Sequence, residues 1–97
     1  FTLDPDAVEK VRGNAAAKGL LTALGDDFAA LTEWSADAAK HQIGETAKAA
    51  GAKAGQLMFP VRVALSGKSG GPDLGDILAL LGQDKCVTRL RRFSEAI

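Results

Sequence analysis

Apolar residues recur at steps of three and four along nearly the whole chain, the period of helices that bury one face. Asp4 followed by Pro5 reads as an N-cap and first helical position, opening a short helix that Gly13-Asn14 interrupts. From Asn14 onward, Leu20, Leu21, Leu24, Phe28 and Leu31 hold the period straight through Gly25. One long helix is therefore predicted, at a cost of about 1 kcal/mol for the internal glycine. Ser35 caps the next helix, with Asp37 in its first turn and an inward stripe of Ala36, Ala39, Ile43, Ala47 and Ala50, and Gly51 ends it. Pro60 pushes Phe59 toward an extended conformation, so a bend is expected at 58–60 and a helix over 60–66. Pro72, with Asp73 and Asp76 behind it, opens a helix whose stripe is Leu74, Ile77, Leu78 and Leu81 and which Gly82 stops. Asp84 is read as the cap of a last helix, with Cys86, Leu90, Phe93 and Ile97 inward and Lys85, Arg89 and Arg92 outward. The predicted architecture is all-α, a compact bundle of about five to six helices forming one domain over residues 1–97.

A length of 97 residues and 46% hydrophobic content suffice for a modest core without metal or disulfide support. The single Cys86 excludes an internal disulfide and a cysteine-based zinc site, and a cytoplasmic setting is expected. No apolar run approaches the ~20 residues that cross a bilayer, so no membrane partner is expected. Net charge is zero, yet it is unevenly placed. Residues 1–45 hold eight acids and four bases (net −4), and residues 46–97 hold four acids and eight bases (net +4). The second half is the side suited to a polyanion, although that density of bases equally describes an ordinary solvated surface.

Few residues offer chemistry. Gly67-Lys68-Ser69 looks like the end of a phosphate-binding loop, but such a loop needs glycine at position 62, where this chain has Arg. What is left is a glycine-rich loop, 67–71, whose backbone N–H groups and one Lys can approach a nucleic-acid backbone. His41-Gln42-Ile43-Gly44 superficially resembles the HIGH signature of class I synthetases, but it lacks the second His and sits mid-helix without a preceding strand. His41 is read as a surface residue. One His and one Cys 45 positions apart form no ligand cluster and no nucleophile–base set, so neither catalytic nor metal-binding residues are expected. Cys86 is read as a small hydrophobe, and Trp34 as a core anchor at a helix junction rather than a base-stacking platform. Arg62 follows a backbone-fixing proline among apolar neighbours. Its planar fork suits bases or phosphates, and equally suits carbonyls at a helix end.

The stretch from Gly51 to Gly82 is the most informative part of the chain. Gly51, Lys53, Gly55, Leu57, Pro60, Arg62, Ala64, Leu65, Ser66, Gly67, Pro72, Leu74 and Gly82 resemble, in kind and spacing, the C-terminal anticodon-binding region of bacterial-type glutamyl-tRNA synthetases. The resemblance extends back through Trp34-Ser35 to Leu3-Asp4-Pro5 and Ala7 to Lys10. It implies a C-terminal segment of a much longer enzyme, and the opening residue Phe1 is read in that light. The segment would have no cofactor of its own, while the full-length enzyme would use ATP and Mg²⁺ to attach glutamate to tRNA. The resemblance assigns anticodon contact to Arg62, Gly71, Pro72, Asp73 and Leu74, and Lys68, Arg89 and Arg92 are added as candidates for the tRNA backbone. The implied partner is the anticodon loop of a glutamate-accepting tRNA, with neither DNA nor membrane, and a monomer is expected. Two positions depart from the family: Gly71, often Thr or Ser there, and Gly75, often bulky. The competing expectation is a helical protein-docking module that exposes the alanine-rich face of helix 36–50.

Overall fold

The computed structural model describes residues 3–68, 71 and 73–97. They form five helices: α1 (Pro5–Arg12), α2 (Ala17–Ala30), α3 (Ala36–Ala49), α4 (Ala54–Ser66) and α5 (Leu74–Ala96). The expected all-α bundle is observed, and no strand occurs among the described residues. Among the described residues no helix is long and apolar enough to cross a membrane.

Each helix start has a local cause. The Asp4 carboxylate accepts from the Asp6 N–H at 3.1 Å, and Pro5 occupies the first helical position, where its missing donor costs nothing. Asn14 turns the chain into α2 by accepting the Ala16 N–H on its side chain, and α2 then runs unbroken through Gly25. Ser35 caps α3 through an Ala38 N–H bond of 3.0 Å.

The core is built mainly where α2 lies along α5, with α3 and α4 closing the bundle. Leu21, Leu24, Phe28, Ile43, Leu57, Leu65, Leu78 and Leu90 are fully buried in it. Burial of such side chains, at about 1.5–3 kcal/mol each, is the main source of stability. Polar ties set the register. Trp34 donates its indole N–H to the Leu78 carbonyl at 3.1 Å and meets Phe28 edge to face at 5.0 Å, so it is an anchor, as expected. Gln83 donates to the carbonyls of Phe28 and Leu31 at 2.7 and 2.8 Å, satisfying acceptors at the end of α2.

Four expectations are corrected by packing. α4 begins at Ala54, six residues before the predicted start, and carries Pro60 inside it. The proline ring removes a helical donor, yet it is fully buried beside Leu57, Val61 and Ala64, and that apolar burial offsets the missing bond. α5 begins at Leu74 with Asp73 as its N-cap, instead of beginning at Pro72, which lies outside the described residues. Gly82 does leave helical geometry (φ 80°, ψ 169°), but helix resumes at once, so Asp84 sits within helical backbone rather than capping it. In α3 the buried stripe is Ala39, Ile43, Thr46 and Ala47, while Ala36 is half-buried and Ala50 exposed. The alanine face is consequently turned into the core, leaving the docking alternative without the exposed stripe it requires. Thr46 is tolerated inside because its hydroxyl donates to Asp27 at 2.6 Å and accepts from Gln42 at 3.1 Å.

Candidate nucleic-acid interface

Three of the five residues assigned to the anticodon come together. Arg62 from α4 and Asp73 and Leu74 at the start of α5 line one cavity of about 340 Å³, with Lys40 from α3 and Met58 and Phe59 from α4 completing it. Arg62 is 11 and 12 positions from Asp73 and Leu74 in the chain, and only the turn after α4 brings them face to face. The chain leaves α4 at Gly67, which takes a left-handed conformation (φ 78°) as the C-cap of that helix. Gly71 is exposed and has φ 117°, a conformation that penalises any side chain. A threonine or serine at position 71 would be strained in this backbone.

Position 75 lies close to two charged side chains. A Cβ on Gly75 would lie 2.9 Å from Asp73 Oδ2, 2.9 Å from Lys40 Cε and 3.0 Å from Lys40 Nζ. The Lys40 ammonium pairs with Asp73 at 3.3 Å, and Asp73 also accepts the Gly75 N–H at 2.9 Å. The Lys40 hydrogen bond, with the Gly75 N–H next, holds the Asp73 carboxyl below its ordinary value. Sequence reading missed Met58 and Phe59, taken only as a bend before Pro60, and Lys40, a partly exposed lysine on α3 with no motif around it.

The candidates for the tRNA backbone lie elsewhere. Arg89 and Arg92, with Lys85, border a separate cavity of about 620 Å³ between α4 and α5, over Ala64 and Phe93. Arg89 is not purely outward as expected. It is half-buried and donates to the Leu65 carbonyl at 2.6 Å, near the end of α4, where carbonyls lack helical donors. Lys68 is exposed just beyond the C-cap of α4 and lines neither cavity.

His41 lies on the surface beside Glu45, 3.7 Å away. Cys86 is fully buried, and burial pushes its thiol up to about 11, partly countered by the charge of Arg89. A thiol so placed is a packing group rather than a nucleophile.

A helical bundle bearing a cleft with two cations, one carboxylate and an apolar wall describes a recognition domain. The model of one protein family, described as anticodon binding domain, matches residues 1–94, and the chain belongs to that family. It is 44% identical over 92 residues to the glutamate–tRNA ligase of Akkermansia muciniphila, a match covering 95% of this chain and 21% of that protein. It is 37% identical over 95 residues to glutamate–tRNA ligase 2 of Koribacter versatilis, covering 98% and 20%. Among solved structures, that of a glutamate tRNA ligase from Elizabethkingia meningosepticum superposes with a TM-score of 0.84 at 26% identity, over 97% of this chain and 18% of the other. The chain thus spans about a fifth of the length of these curated relatives.

Proposed function

We propose that this chain reads the anticodon of a glutamate-accepting tRNA as the C-terminal domain of a glutamate–tRNA ligase. The whole enzyme joins glutamate to tRNA with ATP and Mg²⁺, and that chemistry belongs to parts of the protein beyond this domain. On this reading the parent protein works in the cytoplasm as a monomer, with tRNA and neither DNA nor membrane as its partner.

The observation that carries the proposal is the convergence of Arg62 with Asp73 and Leu74 in one cleft walled by Met58 and Phe59. Sequence-specific RNA readers take unstacked loop bases, place the base faces on apolar or aromatic side chains and bond the edges. Phe59, Met58 and Leu74 supply the wall. The Arg62 guanidinium supplies a planar donor fork for a base edge, and the 71–74 segment supplies backbone groups and the Asp73 carboxylate. With glycine at 71, a contact there comes from the main chain. Lys68, Arg92 and Arg89 add the positive charge that phosphates require.

The test is an NMR titration of the 97-residue chain with the anticodon stem-loop of glutamate tRNA and with a scrambled-anticodon control, at low and moderate salt. Anticodon-dependent shifts centred on Arg62 and 71–74 are expected, and identical responses to both RNAs would reduce the interaction to nonspecific charge. Arg62→Ala is expected to cost about 1–3 kcal/mol of binding and to relax discrimination. A drop in stability with discrimination intact would make Arg62 a structural residue.

A further inference from the structure

The cleft beside Arg62 contains a second cation with a fixed position. Lys40 reaches it from α3, and its ammonium is held at 3.3 Å by Asp73, a carboxylate itself anchored by the Gly75 N–H at 2.9 Å. An ammonium has three donors, and the Asp73 contact engages one of them. The Lys40 side chain is 40% exposed and borders the same cavity as Arg62, Met58, Phe59 and Leu74. A Cβ at position 75 would fall 2.9 Å from Lys40 Cε, so a side chain there would push the end of Lys40 aside. Lys40 and Arg62 against Asp73 leave the cleft with one net positive charge, of the sign an RNA strand requires.

We propose that Lys40 is a further RNA-contacting residue, donating to a phosphate oxygen of the nucleotide whose base lies on Phe59, Met58 and Leu74. This rests on the anticodon-reading function proposed above and deepens it. The two cations divide the work by their chemistry. A guanidinium is a planar fork matched to base edges, whereas an ammonium is a compact point charge matched to a phosphate. Asp73 acts as the positioning residue, since it holds the ammonium in place before RNA arrives. Gly75 contributes its N–H to Asp73 and leaves the end of Lys40 unobstructed.

The two roles separate in one experiment. The 97-residue chain as wild type, Lys40→Gln, Lys40→Arg and Arg62→Ala is titrated by fluorescence anisotropy with the anticodon stem-loop and the scrambled control, across salt concentrations. A lost phosphate contact on single-stranded RNA lowers the magnitude of the log–log salt slope by about 0.7, equivalent to a loss of about fivefold at 0.1 M salt relative to 1 M. Lys40→Gln is expected to show that loss for both RNAs alike, with discrimination kept and with Lys40→Arg restoring the slope. Arg62→Ala is expected to lose discrimination instead. An unchanged slope in Lys40→Gln, beside a wild type that discriminates the two RNAs, overturns the role of Lys40 and leaves anticodon reading standing. A lowered melting temperature with an unchanged slope does the same, making Lys40 a strut for Asp73. A wild type that binds both RNAs equally, with the slope lowered in Lys40→Gln, upholds the phosphate contact and removes anticodon reading. A wild type that binds neither RNA overturns both.

Discussion

A Cβ at Gly75 would meet the side-chain ends of Lys40 and Asp73, so this glycine leaves room for a pair that its own N–H helps to hold. The Lys40–Asp73 pair that fills the space is partly exposed on both sides, and pairs of that kind add little to stability. Its significance is positional. The pair is visible in the titration of Asp73, whose carboxyl is held below the ordinary value first by the Lys40 hydrogen bond and then by the Gly75 N–H. A carboxyl with a depressed folded-state value contributes stability that is complete above its unfolded value, about 3.9, and lost as pH falls through the lower folded one. NMR-monitored titration of the Asp73 carboxyl carbon is expected to show a midpoint below 3.8, moving up toward that value in Lys40→Gln. An unmoved midpoint would mean that the backbone N–H groups of Gly75 and Asp76 sustain the depression.

At the scale of elements, glycines with similar local sequence do opposite things. Gly82 breaks α5 with φ 80° and ψ 169°, a combination open almost solely to glycine. Gly44 sits in the middle of α3 with nothing within 4 Å of where a Cβ would be. Gly82→Ala is therefore expected to destabilise by about 1–3 kcal/mol, while Gly44→Ala gains up to about 1 kcal/mol. Urea denaturation followed by circular dichroism checks both, and equal effects would remove the conformational argument. The break at Gly82 matters to the site, because it lets the first half of α5 present Asp73 and Leu74 to α4 while the second half lies along α2.

At the scale of the molecule, Cys86 reports how the bundle opens. It is fully buried, and its thiol is pushed up to about 11, so thiolate at pH 8 is about one part in a thousand. A raised folded-state value means that the contribution to stability is complete below the usual thiol range and is lost as pH rises through about 11. Alkylation at pH 8 is expected to follow global unfolding, accelerating with urea in step with loss of helicity. Rapid labelling of the native protein would show that the second half of α5 opens independently.

The helices at 5–12, 17–30 and 36–49 were legible in the chain because their caps and stripes are local: Asp4-Pro5, Asn14 and Ser35 act within three residues of themselves. The motif from Gly51 to Gly82 likewise carried the family and singled out Arg62, since its spacing is a matter of sequence. What local signals rank wrongly is anything decided by burial. Pro60 reads as a helix start, yet lies inside α4 because its ring packs in the core. Arg89 reads as an outward cation, yet bonds Leu65 because α4 ends beside it. Lys40 could not be found from the chain, since it is 33 positions from Asp73 and nothing near it announces the pairing. Local composition and spacing specified the helices and the family. Which side chains share a cleft is a long-range property, and it depends on how apolar faces are buried against one another.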